Sequence, residues 1–241
     1  MRLFLFLIYF QIFTFLHAQN DPNMLLGEKT VYDVKYSIFK VGEAVMQIDP
    51  ELHYIDDSAY YLVTFKASST GLLKFFYSDL HICYESYISV VDSNPTYSER
   101  EIYHGKTVDI QHDKFGYSDS VKITTRQFRK KRVRNFMFSA EDKVVKDALS
   151  AYIWFRQKDI FYSKQNIFFY LNNRLNEVEI SPSDEVLVKD DYLVKKFNLQ
   201  FPGVADIAND DHYVLANSKN LPLKAQISSD VGRFFFVLQS D

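Results

Sequence analysis

The chain has 241 residues with 28 basic and 31 acidic side chains, a formal net charge of −3 that excludes general nucleic-acid binding, which calls for a basic surface. A single cysteine, Cys83, excludes an intrachain disulfide, so stability has to come from burial and hydrogen bonds. Seventeen Tyr and 22 Phe against seven Gly suit first the half-buried pleated surfaces of a strand-rich fold, and second an aromatic-lined cavity for a lipophilic ligand.

The chain opens with the order of a secretory signal peptide. Arg2 supplies a basic start, Leu3 to Leu16 form an apolar run broken by Gln11 and Thr14, and His17-Ala18 precede a polar stretch. The run is shorter than the ~20 apolar residues of a spanning helix. Cleavage after Ala18 is expected, with export to the periplasm or cell envelope. No cysteine follows to carry a lipid anchor, and no later segment reads as transmembrane. Residues 19–241 are then expected to form a single β-rich domain, with Gln19 to Leu26 as a lead-in and the fold starting at Glu28.

Alternation with a period of two dominates the chain beyond this point. Tyr32, Val34, Tyr36 and Ile38 are expected to share a core face, and Ala44, Met46 and Ile48 resume the pattern after Val41-Gly42-Glu43. This reads as a hairpin from Thr30 to Asp49, with Gly42 allowing close backbone approach. Further strands are expected at Tyr61 to Ala67, Leu80 to Glu85, Tyr97 to Tyr103, Thr107 to His112 and from Val121. A helix or turn is expected at Gly71 to Tyr77, where strict alternation is lost.

One segment changes period. Leu149, Tyr152, Ile153 and Arg156 follow helical spacing, predicting a helix within Glu141 to Gln157. Ser139-Ala-Glu-Asp resembles a capping box, and Asp147 can cap a shorter helix instead. Strands resume at Ile167 to Leu171, Glu177 to Ile180, Val186 to Val188, Tyr192 to Phe201, Tyr213 to Leu215, Leu223 to Ile227 and Arg233 to Leu238. The expected architecture is mainly β: one large antiparallel, strongly curved or half-barrel sheet with one main helix packed on it.

Several pieces carry a family resemblance. Gly27-Glu28, Tyr32-x-Val34-x-Tyr36 and Lys40-Val41-Gly42-Glu43-Ala44 are followed by Asp147-Ala-Leu-Ser-Ala-Tyr with Arg156, then Leu221-Pro222-Leu223-Lys224 and Gly232 to Leu238. In that order they resemble domain-of-unknown-function family 3108, exported bacterial envelope proteins. The resemblance implies no catalytic residue. It does imply a fold similar to the half-open sheet of periplasmic lipoprotein carriers, whose concave face binds acyl chains.

Chemistry-bearing motifs are sparse. His53, His81, His104, His112 and His212 form no metal-ligand spacing, although His104 and His112 flank one predicted hairpin and can approach each other. Cys83 reads as a small buried hydrophobe. Asp56-Asp57, Asp190-Asp191 and Asp210-Asp211 sit where turns are expected. No cofactor is expected. The outstanding cluster is Arg126, Arg129, Lys130, Lys131, Arg132 and Arg134. It reads as a solvated edge strand or hairpin, or as a contact for anionic lipid headgroups or acidic glycan. The functional expectation is a non-catalytic exported protein that binds or carries a lipophilic or envelope-derived ligand. The alternatives are a structural or assembly partner in the envelope and, less favoured, a hydrolase of envelope glycan or lipid.

Overall fold

The computed structural model describes residues 22–71, 79–139, 145–158, 163–171, 174–189, 192–200, 212–229 and 232–239. The leader, the segment 72–78, and the acidic pairs at 190–191 and 210–211 lie outside the described residues.

Alternating sequence becomes strand almost throughout: β1 (Lys29–Tyr36), β2 (Phe39–Ile48), β3 (His53–Ile55), β4 (Ser58–Ser69), β5 (Leu80–Ser89), β6 (Pro95–His104), β7 (Thr107–Tyr117), β8 (Ser120–Gln127) and β9 (Arg132–Ser139). After β10 (Val145–Lys146) and helix α1 (Ala148–Gln157) come β11 (Gln165–Leu171), β12 (Arg174–Lys189), β13 (Tyr192–Gln200), β14 (Tyr213–Asn217), β15 (Pro222–Ser229) and β16 (Gly232–Leu238). All belong to one 16-stranded sheet, ordered β10-β11-β12-β13-β14-β15-β16-β1-β2-β4-β5-β6-β7-β8-β9, with β3 added on β4. Neighbours are antiparallel except β10 and β11, which run parallel. The last strand returns beside the first, Phe236 opposite Val34.

The sheet curls without closing. Strands β9 and β10 end the hydrogen-bonded path, yet Phe115, Val121 and Ile123 of β7 and β8 pack with Val145 of β10 and Tyr170 of β11 in one cluster. Side chains therefore bridge the seam that backbone hydrogen bonds leave open. The Tyr170 ring meets Phe115 and Phe136 edge-on at 5.8 and 6.0 Å. Its hydroxyl lies 2.6 Å from Thr125 Oγ1.

Helix α1 occupies the concave side. Leu149 and Ile153 pack with Ile48, Tyr61, Val63 and Ile88 of β2, β4 and β5. Trp154 and Phe155 pack on Ile167, Val178, Ile180, Phe197 and Ala216 across β11 to β14. Burying each of these large side chains contributes about 1.5–3 kcal/mol, so the helix ties two distant stretches of sheet together.

The helix lies within the expected span and takes the shorter form capped by Asp147, while 140–144 lie outside the described residues. Val145-Lys146 is strand, and Asp147 is the cap, accepting from Ser150 N at 2.7 Å while Ser150 Oγ accepts from Asp147 N at 2.8 Å. The capping box lies at Asp147 and Ser150 because the chain joins the sheet edge first. Asp147 also accepts from Ser86 Oγ at 2.8 Å, fixing the helix start to β5.

The first hairpin departs from its expectation. Tyr32 is buried, but Tyr36 is 40% and Ile38 81% exposed, because the pairing shifts at Val34/Lys35 and Ser37 turns with positive φ. The core face therefore fades before the turn. Gly42 meets its expectation: a Cβ there would lie 2.7 Å from the Ser68 carbonyl oxygen.

Candidate functional site

Between α1 and the concave face of the sheet lies an open hollow of about 520 Å³. Ala148, Ala151, Tyr152 and Phe155 form its helical side, and the two alanines leave the space that larger side chains would fill. Ile167, Phe169, Val178, Ile180 and Leu199 line it from β11 to β13, Val214, Ala225, Ile227 and Phe236 from β14 to β16, and Tyr32, Met46 and Phe65 from the first strands.

The tyrosines at its rim turn their hydroxyls to protein. Tyr32 Oη donates to the Pro222 carbonyl at 3.1 Å, and Tyr152 Oη donates to Glu28 Oε1 at 2.7 Å. Burial pushes the pKa of both upward, so they stay neutral and offer ring surface. The lining is thus hydrocarbon and aromatic ring, with His212 as the exception. Its size falls within the roughly 300–1,000 Å³ of small-molecule sites.

The same concave face changes character across β5 to β9. Register places Tyr84, Arg100, Gln111, Gln127 and Arg132 side by side in one row. The next row is Ser86, Ser98, Asp113, Thr125 and Arg134. Gln111 Nε2 donates to both oxygens of Asp113 at 3.1 and 2.8 Å, and Thr125 Oγ1 donates to Asp113 Oδ1 at 2.5 Å. Burial raises the Asp113 pKa, while the Thr125 and Gln111 hydrogen bonds favour its carboxylate. Arg100 Nη2 donates to Gln111 Oε1 at 2.9 Å, and Gln127 Nε2 donates to the same oxygen at 3.2 Å.

The six cations of 126–134 are not brought to one point. Arg126 lies opposite His112 on the convex face, whereas Arg132 and Arg134 share the concave-side rows of Gln127 and Thr125. Arg129 pairs with Asp109 at 2.9 Å in the turn, beside Lys130 and Lys131. The segment forms the β8–β9 hairpin, and β9 is an end strand of the sheet.

His104 and His112 do not meet. His104 pairs with Thr107 while His112 lies opposite Glu99, five residues further along β6, roughly 16 Å at strand spacing. His112 Nε2 contacts Glu99 Oε2 at 3.0 Å. Cys83 is half-buried rather than buried, and burial pushes its thiol pKa up, which disfavours the thiolate. Asp56 and Asp57 occupy a turn, both with positive φ. Among the described residues no group of three His, Cys, Asp or Glu side chains is placed to hold a metal ion.

Residues 31–239 match the family described as "Protein of unknown function (DUF3108)". The chain belongs to this family. The matched DUF3108 span contains every residue lining the hollow and the whole polar wall. No curated protein and no solved structure matches the chain. No helix among the described residues is long and apolar enough to cross a membrane.

In the sequence, only the aromatic excess foreshadows the hollow. The polar rows are masked because their strands carry tyrosines on the other face: Tyr97 and Tyr103 bond Glu99 and Glu101 there, at 3.1 and 2.6 Å. The available signal is Ser98-x-Arg100 and Gln111-x-Asp113 at period two.

Proposed function

We propose that the protein is an exported, non-catalytic envelope protein that binds or carries a lipophilic ligand in the hollow beside α1. The observation that carries this reading is the hollow's apolar lining, with both tyrosine hydroxyls engaged elsewhere. A continuous core would have filled the volume facing Ala148 and Ala151, since protein interiors normally pack with few large voids. The signal-like leader supports an envelope address, where such ligands abound.

Native mass spectrometry of the protein purified from the envelope tests this reading. A co-purifying lipid, or uptake of added lipid after delipidation, is expected. Ala151→Trp should abolish uptake by filling the hollow. Absence of both co-purification and uptake by the parent protein would refute the reading. The assembly alternative draws on β9, an end strand whose Val133 and Met137 are 59% and 71% exposed. Crosslinking in cells should trap a defined partner through Val133 or Met137 if that face docks one.

A further inference from the structure

We propose, resting on the carrier reading above, that the ligand is an anionic amphiphile whose charged group is received by Arg100 on the polar half of the concave wall. A separate hollow of about 330 Å³ lies there, lined by Arg100, Ile102, Gln111, Gln127, Arg129 and Lys130, with Asp109 and Ile110. Asp109 already neutralises Arg129, which leaves Arg100, whose field also reaches the Asp113 carboxylate, and Lys130 as the remaining positive side chains of the lining.

Arg100 is poised for an additional acceptor. Among the described residues no carboxylate lies within 4.0 Å of it, and its hydrogen bond goes to the neutral Gln111 amide. Asp113 acts on Arg100 through space without a direct ion pair, its oxygens accepting from Gln111 and Thr125, so the guanidinium keeps free donors. A guanidinium carries five N–H donors in a planar fork suited to carboxylate or phosphate oxygens. The acceptor beside it, Gln111 Oε1, also accepts from the Gln127 amide, which holds it in place.

The two sites stand on one continuous row. Met46, Phe65, Tyr84 and Arg100 are successive cross-strand neighbours, so Phe65 at the apolar hollow is two strands from Arg100, about 10 Å. Tyr84, packed with Phe65 against the Leu149 and Ile153 cluster, stands between the two sites, so a hydrocarbon chain in the hollow reaches the guanidinium by crossing the Tyr84 ring. A neutral ligand of the same length would make no ion pair there.

The test compares dodecyl phosphate below its micelle concentration, dodecanol, and inorganic phosphate, by calorimetry on the delipidated full chain. Dodecyl phosphate should bind about tenfold tighter than dodecanol or better, the scale of one charge-assisted hydrogen bond. It should also far exceed inorganic phosphate. Arg100→Gln should remove the preference while dodecanol affinity stays put, which also reports an intact hollow. Gln127→Glu, adding a like charge beside the ligand, should do the same without touching Arg100. Equal binding of the two amphiphiles by the parent protein overturns the anionic site and leaves the carrier reading standing. A preference surviving both substitutions, or inorganic phosphate binding as tightly as dodecyl phosphate, also overturns it. Binding of neither amphiphile overturns the carrier reading with it.

Discussion

Arg156 and Glu28 lie 128 residues apart and form a two-pronged ion pair, Nη2 to Oε2 at 2.5 Å and Nε to Oε1 at 3.3 Å. Arg156 is almost fully buried, and it also donates through Nη1 to the Lys219 carbonyl. Tyr152, one helical turn earlier, reaches the same carboxylate. The pair thus fixes α1 against the start of the sheet, at the side where the apolar hollow lies.

Removing one partner of such a pair leaves a buried charge. Arg156→Met and Glu28→Gln should each destabilise the protein by about 3–5 kcal/mol in urea unfolding. A double-mutant cycle should give a substantial coupling energy. Independent, additive losses would show that the two groups do not act together.

Gly42 answers to a different constraint. A methyl group there meets the Ser68 backbone oxygen at 2.7 Å, and that oxygen belongs to the neighbouring strand rather than to a yielding side chain. Gly42→Ala should therefore cost about 1–3 kcal/mol, despite the usual benefit of replacing glycine in a strand. An unchanged or higher Tm would mean the strands separate freely.

Lys146 should give the protein a distinctive pH response. Its ammonium nitrogen donates to the carbonyls of Asp92 and Ser93 and to Asn94 Oδ1, at 2.9, 2.7 and 2.7 Å. Burial nevertheless holds its pKa down to about 7 from the ordinary 10.5, against the pull of Asp92 and Asp147. Between those values the unfolded chain binds a proton that the folded chain does not. Lysine's contribution to stability therefore rises with pH across this window, by at most about 1.4 kcal/mol per pH unit. Lys146→Met should flatten the rise measured from about pH 7.5 to 9.5, below the range where tyrosines titrate. Identical slopes in the two proteins would count against this account.

The open seam supplies a fourth expectation. Tyr170→Phe keeps the ring contacts to Phe115 and Phe136 and loses the hydroxyl partner of Thr125, so it should cost about 0.5–1.5 kcal/mol. Tyr170→Ala removes the ring as well and should cost about 3–5 kcal/mol. If both variants melt like the parent, the β8–β11 contact does not hold the curl.

Much of the fold was legible because a half-buried strand must alternate. Ala44 and Ile48, or Val121 and Ile123, announce their faces without any tertiary knowledge. Asp147 was legible as a cap for the same local reason. Alternation is silent where both faces of a strand carry bulky or polar groups. In β6, tyrosines occupy the convex face while Ser98 is buried and Arg100 faces inward, and no local rule ranks a phenol bonded to glutamate against a guanidinium bonded to glutamine.

By itself, the sequence determined the strand-rich class, the single main helix and the glycine at the tight crossing, because each arises from interactions between near neighbours in the chain. Only the tertiary structure decided the hollow, the polar wall and the division of the 126–134 cations between two faces. Those depend on which strands the curl brings opposite one another, as with Thr125 and Tyr170, 45 residues apart. A void is the absence of side chains that other segments could have supplied. Ala148 and Ala151 leave room only because β11 to β16 pass at a distance from them, and no single segment encodes that distance.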